Sequence, residues 1–297
     1  MAIVTITAAM STKWSALWFA IVFVGLALWC DARARIAADE RWSARAALVD
    51  AGWLVTAVVV GALGYIGSWA GWLFTDGGFN RQWAEGRDLP WGIPGALAAL
   101  VDYHRQALGF HVGLTSDHPY KAVSLWWPLQ WRPTSFFYEE YEPYANGCLS
   151  DSKCAAEVLA LGNPIIWWLA SGVVIGFLLR ALLRRVDAPS VDVMVPLLAG
   201  LAAGWLPWIY YHERTTFTFY SIAFAPFLYI ALAYWLVRYR TRIGDDGVEY
   251  IDAGRQRVVR ALVLGIVLVS LYLYPVWVGD VIDKAAWMHR MWLPSWV

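Results

Sequence analysis

Charge is the first thing this sequence has little of. Asp, Glu, Lys and Arg make up 15% of its 297 residues, against about 25% in an ordinary soluble domain. The 23 basic and 23 acidic residues cancel, so no polycationic face is offered to a nucleic acid. Cysteine is scarce too, at three residues. The five histidines, His104, His111, His118, His212 and His289, lack the paired spacings of a zinc site. No Gly-rich phosphate loop or dinucleotide fingerprint is present. Neither a metal nor a cofactor is therefore expected. No linker, low-complexity tract or internal repeat marks a second soluble domain, and residues 1–297 read as a single membrane domain.

What fills the chain instead is apolar. Hydrophobic residues reach 60% and mean hydropathy is +0.48, with apolar runs long enough to cross a bilayer, which takes ~20 helical residues. The runs are continuous rather than alternating, which favours helices over a barrel. The spacing predicts an all-α polytopic fold of about six spans, at residues 14–30, 53–74, 165–183, 191–210, 217–237 and 259–278. The 21 tryptophans and 15 tyrosines suit rings resting at two membrane–water boundaries.

Arginine sets the orientation. Arg33, Arg35, Arg41 and Arg45 follow span one; Arg180, Arg184 and Arg185 follow span three; Arg238, Arg240, Arg242, Arg255, Arg257 and Arg260 lie around the connection between spans five and six. By the positive-inside rule these loops are cytoplasmic. Both termini and the loop of residues 75–164 are then outside. An oxidising outer compartment permits a Cys148–Cys154 bridge, while two free thiols are the plain alternative. Within the loop, residues 91–111 read as a helix with Leu97, Leu100, Val101 and Leu108 on one side. It is either an interfacial helix or a packed loop helix. Trp287, Trp292 and Trp296 read as an interfacial anchor. Residues 2–10, apolar but too short to span, look like the end of an earlier span.

Four clusters at the outer ends of the spans offer chemistry. Lys13, within Thr12-Lys13-Trp14-Ser15, either contacts a phosphate or snorkels as an interfacial anchor. His118, Tyr120, Trp127 and Arg132 lie in an aromatic and cationic stretch. It suits a sugar or an extended polypeptide, and suits equally a belt holding the loop on the membrane. Arg214, at the turn into span five, either grips a phosphate or pairs with Glu213 or a lipid headgroup. Tyr138-Glu139-Glu140-Tyr141-Glu142 holds either a general base or, more commonly for such a run, solvated carboxylates.

Taken in order, Thr12-Lys13-Trp14-Ser15, the run from Ser68 to Gly78, His118-Pro119-Tyr120, Trp127-Pro128, Arg132-Pro133, Leu161-Gly162-Asn163-Pro164 with Trp167-Trp168, Trp205-Leu206-Pro207-Trp208, and Arg214-Thr215 through Phe219-Tyr220 resemble the protein O-mannosyltransferase family. The match is to its actinobacterial form, without the inserted lumenal domain of the eukaryotic enzymes. The resemblance implies a GT-C glycosyltransferase on the outer face of the cell membrane. Such an enzyme takes mannose from polyprenyl-phosphate-mannose to a Ser or Thr hydroxyl of a secreted protein. It implies Lys13 and Arg214 for the donor phosphate, and His118, Tyr120, Trp127 and Arg132 for the acceptor and sugar groove. The family's catalytic carboxylate lies upstream of the segment matching Lys13. No catalytic residue is therefore expected in this chain, which alone is expected to be inactive without an N-terminal half. Two other readings are a non-catalytic module binding a lipid phosphate or a secreted polypeptide, and a small transporter. The near absence of ionisable residues at span centres speaks against the transporter.

Overall fold

Five helices are long and apolar enough to cross a membrane in the computed structural model, which describes residues 2–40 and 43–297. Arg41, one of the orienting arginines, lies outside the described residues. The chain divides into two compact units, residues 1–115 and 116–297. The boundary falls within the 75–164 loop.

In the first unit α1 (Ala2–Thr12) and α2 (Ala16–Ala37) are separated by a turn carrying Lys13 and Trp14, and α3 (Ala44–Ser68) follows. Ser43 caps α3 by accepting a hydrogen bond from the Ala46 amide, satisfying one of the donors a helix start leaves bare. Thr7 of α1 is buried against α3, where a Cβ on Gly64 would stand 2.8 Å from the Thr7 methyl. Such small-residue contacts hold helices together in lipid, where apolar burial between helices gains little. A short α4 (Ala70–Phe74) leads to α5 (Gly95–Gly113), the loop helix predicted at 91–111 and displaced a few residues onward.

The second unit is a four-helix assembly with a small sheet at one end. Its helices are α6 (Pro164–Leu182), α7 (Ala188–Tyr210), α8 (Ala225–Arg240) and α9 (Ala253–Val278). The span predicted at 217–237 is broken. A 3₁₀ turn at Thr218–Ala223 precedes α8, which has 16 residues. Pro226, which lacks an N–H, falls in the first turn of α8, where no intrahelical donor is needed. Trp127, Trp167, Met194, Leu201, Phe224 and Leu228 form one core among α6, α7 and α8.

The loop supplies β1 (Thr134–Tyr141) and β2 (Cys154–Ala160), an antiparallel pair extended by β5 (Ile282–Asp283). Cys148 and Cys154 are disulfide-bonded beside this hairpin. At the opposite end β3 (Thr241–Ile243) and β4 (Glu249–Ile251) connect α8 to α9. Arg238 pairs there with Asp187 at 2.6 Å, gathering the arginine-rich loops of this unit at one end. The tail holds α10 (Lys284–Met288). It is not the surface anchor expected: Trp287 and Trp296 are buried with Leu159, Leu273 and Val276, and only Trp292 of the three is exposed.

The Leu161-Gly162-Asn163-Pro164 segment shows how local chemistry fixes this unit. The Asn163 side-chain oxygen caps α6 by accepting from the amides of Ile165 and Ile166. Its nitrogen donates to the Ile266 carbonyl and Ser270 Oγ of α9, both at 2.9 Å. Pro164 occupies the first helical position. Gly162 is bare because an added Cβ would lie 1.8 Å from Trp167 Nε1.

Candidate functional site

Two segments of the second unit make one surface: residues 116–133, and the turn of residues 211–220. Three threonines of the turn bind the other segment's backbone. Thr215 Oγ1 donates to the Ser116 carbonyl, Thr216 Oγ1 to Ala122 at 2.9 Å, and Thr218 Oγ1 to Arg132. All three are buried, so their hydroxyls are structural. Ser124 Oγ donates to the Trp208 carbonyl at 2.9 Å, and Trp205 Nε1 to the Ser124 carbonyl at 2.7 Å. These bonds fasten both segments to the end of α7.

His118 is exposed on this surface. Its Nδ1 accepts the Tyr120 amide at 3.1 Å, so in the neutral ring the proton sits on Nε2. That outward Nε2–H can donate to a bound hydroxyl. The ring stands edge-on to Phe217 with centroids 5.0 Å apart and leans on Tyr120 at 6.0 Å. Phe217 stacks on Phe219 at 5.6 Å and meets Tyr220 edge-on at 6.1 Å. Beyond Tyr220 lies Arg214, its guanidinium carbon 6.0 Å from that ring and 5.2 Å from the ring of Trp208. A continuous run of rings therefore joins the His118 donor to the half-buried Arg214 cation. Aromatic faces suit the apolar face of a sugar, and a guanidinium suits phosphate oxygens.

Two residues expected in the groove, Trp127 and Arg132, make contacts within the fold. Trp127 is fully buried, packed against Trp208 and Tyr220 with its Nε1 donating to the Ala122 carbonyl at 3.3 Å. It supports the surface from beneath. Arg132 lies over the Tyr120 ring at 5.2 Å. Its Nε and Nη2 donate to the Pro119 carbonyl at 3.2 and 3.0 Å, and Nη1 donates to the carbonyls of Ser295 and Val297, both at 2.7 Å. Those donors clamp the His118–Tyr120 segment to the tail. Phe217 and Phe219, which in sequence read as the start of an apolar span, line the same surface.

Lys13 belongs to the first unit and stands exposed in the turn between α1 and α2. Beside it, Trp14 Nε1 donates to Tyr65 Oη at 2.8 Å. His118, Tyr120, Arg132 and Arg214 are thus brought together in one unit, while Lys13 is held in the other.

The carboxylates of the Tyr138–Glu142 run are engaged. Glu140 pairs with Lys284 and accepts from Tyr138, and these bonds hold its carboxyl below the usual range. Glu142 pairs with Lys153 at 2.7 Å, and Glu139 accepts from Tyr141 at 2.7 Å. Glu157, which sequence reading missed, is buried on β2 and accepts from Trp287 Nε1 at 2.7 Å; burial pushes its carboxyl up. Asp283 is held down to about 2 by Ser152, Ser150 and the amides it caps. Among the described residues no group of three or more His, Cys, Asp or Glu side chains could hold a metal ion.

Residues 96–296 match the family described as the C-terminal four TMM region of protein-O-mannosyltransferase. The chain is 29% identical over 305 residues to the polyprenol-phosphate-mannose–protein mannosyltransferase of Mycobacterium tuberculosis, covering 97% of this chain and 55% of that protein. It is 30% identical over 301 residues to that of Mycolicibacterium smegmatis, covering 97% and 56%. The relative from Corynebacterium glutamicum is 30% identical over 304 residues, with 97% and 55% covered. The chain thus spans about half the length of these relatives. Among solved structures, the Saccharomyces cerevisiae Pmt1–Pmt2 complex bound to the sugar donor is similar in fold, with a TM-score of 0.53 at 18% identity, covering 68% of this chain and 27% of that one.

Proposed function

The chain belongs to the protein O-mannosyltransferase family, and from this premise we propose that it forms the membrane-embedded acceptor and donor-phosphate half of a polyprenyl-phosphate-mannose-dependent protein O-mannosyltransferase. The observation that carries this reading is the run of rings between Arg214 and His118. Arg214 binds the carrier phosphate and stabilises the negative charge that grows on it as the glycosidic C–O bond breaks; electrostatic help of this kind is commonly the largest catalytic contribution. Lys13, in the first unit, is read as a carrier-phosphate contact as well. Phe217 and Tyr220 seat the sugar or the acceptor chain, and His118 Nε2 orients the acceptor hydroxyl. Arg132 and Trp127 hold these parts in place.

Transfer also needs a carboxylate to take the hydroxyl proton. Glu140 and Glu142 are paired and Glu157 is buried, which favours a base other than these carboxylates. The arginine-rich loops are taken as cytoplasmic, with the 75–164 loop and the aromatic surface outside, in the cell membrane. The partners are then the carrier lipid, a secreted polypeptide, surrounding lipids and a segment equivalent to the part of the relatives that this chain does not match.

The test is mannosyl transfer from polyprenyl-phosphate-mannose to a Ser/Thr peptide in membranes, with and without a relative's upstream half co-expressed. Transfer is expected only with both halves, and Arg214→Ala is expected to lower it ~100-fold, the scale of losing one electrostatic contact. Sustained transfer by the purified chain alone would overturn the external base. Silence with both halves folded and donor present would favour the non-catalytic binding module.

A further inference from the structure

The first unit holds a hydrogen-bonded chain whose direction is fixed by the residue types in it. The Trp14 indole can only donate, and its Nε1 lies 2.8 Å from Tyr65 Oη. Tyr65 Oη lies in turn 2.8 Å from His104 Nε2. His104 Nδ1 faces the Leu100 carbonyl at 2.7 Å, a group that can only accept. The proton of the neutral imidazole is therefore on Nδ1, Nε2 is the acceptor, and Tyr65 donates to it. The series runs Trp14 to Tyr65 to His104 to the α5 backbone without a mismatch. Rings enclose it: Trp14 stacks on His104 at 5.2 Å and 14°, and Trp69 packs against His104 at 5.0 Å.

These bonds tie three elements at one point. Trp14 lies in the turn between α1 and α2, Tyr65 near the end of α3, and His104 in the middle of α5. Backbone bonds carry the chain through the turn: Lys13 N–H bonds Ala9, and the Lys13 and Trp14 carbonyls accept from Ala16 and Leu17. Those bonds continue the local helical path. The Trp14 indole adds ties to α3 and α5, through Tyr65 and through the rings of His104 and His111.

We infer that Tyr65 and His104 are positioning residues for a phosphate-bearing lipid at Lys13. They act through Trp14, whose anchored ring fixes the backbone from which the Lys13 side chain departs. This rests on the reading of Lys13 as a carrier-phosphate contact. A flexible ammonium becomes a specific phosphate ligand only when its stem starts from a fixed point, since otherwise the ordering entropy is charged to binding.

The experiment measures binding of farnesyl phosphate, with inorganic phosphate as the headgroup control, to the full 297-residue chain in lipid nanodiscs. The variants are Lys13→Ala, Tyr65→Phe, His104→Ala and His104→Gln, each checked for native elution and helicity. Tyr65→Phe keeps the ring and deletes only the hydroxyl; Gln keeps an acceptor for Tyr65. Lys13→Ala, Tyr65→Phe and His104→Ala are each expected to weaken farnesyl phosphate binding roughly tenfold, the equivalent of one hydrogen bond. His104→Gln is expected to restore most of the affinity. If Lys13→Ala weakens binding while Tyr65→Phe and His104→Ala do not, the positioning role is wrong and the Lys13 contact stands. If Lys13→Ala binds like the parent, the Lys13 reading falls and the inference with it. A folded His104→Gln as weak as His104→Ala would make the ring's packing, not its acceptor, the operative feature and so overturn the proposal.

Discussion

Replacing Arg132 by lysine keeps the positive charge and removes the fork, and so separates a clamp from a ligand contact. In the native side chain Nε and Nη2 converge on the Pro119 carbonyl, while Nη1 reaches the carbonyls of Ser295 and Val297. A lysine ammonium is a single point of charge on a flexible stem. It can serve Pro119 or the tail, but it cannot span both. At least two hydrogen bonds are lost, each worth about 1 kcal/mol net, so Arg132→Lys is expected to cost about 2 kcal/mol. At roughly 2 °C per kcal/mol for a chain of this size, the unfolding midpoint in detergent should fall by about 4 °C. Protease sensitivity should rise in the tail after Met291 and in the His118–Tyr120 segment together, because the clamp joins those two places. An unchanged midpoint, combined with reduced transfer in the two-half assay, would refute the clamp and return Arg132 to the substrate.

Gly162→Ala places a Cβ 1.8 Å from Trp167 Nε1 in a buried ring contact, and overpacking of that kind costs about 1–3 kcal/mol; a lowered midpoint by tryptophan fluorescence checks it. Removing the Cys148–Cys154 bridge, which closes a sequence separation of 6, costs about 2 kcal/mol on the chain-entropy account. The hairpin itself should persist, since seven β1–β2 pairs remain; reducing and non-reducing melts followed by circular dichroism would show both effects. Glu157→Gln tests a linkage. Burial raises the folded-state value of this carboxyl above its ordinary 4.5, so the folded chain binds more protons and stability declines as pH rises from 4.5 through the folded value. The glutamine variant should be more stable than the parent at neutral pH and lose that advantage below 4.5, as paired melts across the range would register.

Fold class and span positions were legible because each rests on one strong physical demand. A bilayer requires long apolar helices, and arginine resists translocation. The fifth span shows where that logic stops. Residues 217–237 are apolar enough to count as one run, yet Thr218, Phe219 and Tyr220 form a 3₁₀ turn. Thr218 leaves a continuous helix to bind the Arg132 carbonyl, a partner 86 residues away in the chain. The tail failed for a related reason. Tryptophans at 287, 292 and 296 look alike in sequence, but Trp287 has Glu157 as an acceptor and Trp296 has the Gln130 carbonyl. Satisfied indoles bury, and the one left at the rim stays exposed.

The candidate surface was legible as a neighbourhood but not as an assignment of roles. Arg132 and Arg214 are the same side chain, and either suits a phosphate on chemistry alone. What separates them is the set of acceptors around each. Arg132 meets four carbonyl contacts in a fixed arrangement, which uses its fork internally. Arg214 lies over the faces of Trp208 and Tyr220, so ring stacking is part of what places it. The same distinction separates Trp127 from Phe217: Trp127 has an N–H that must be satisfied, and it finds the Ala122 carbonyl in the core. Phe217 carries no such demand and can remain half-buried beside His118. In an aromatic-rich outer loop, then, the residues with the most hydrogen-bonding capacity are drawn into holding the loop together. The rings that stay at the surface, Phe217 and Phe219, are those with the least.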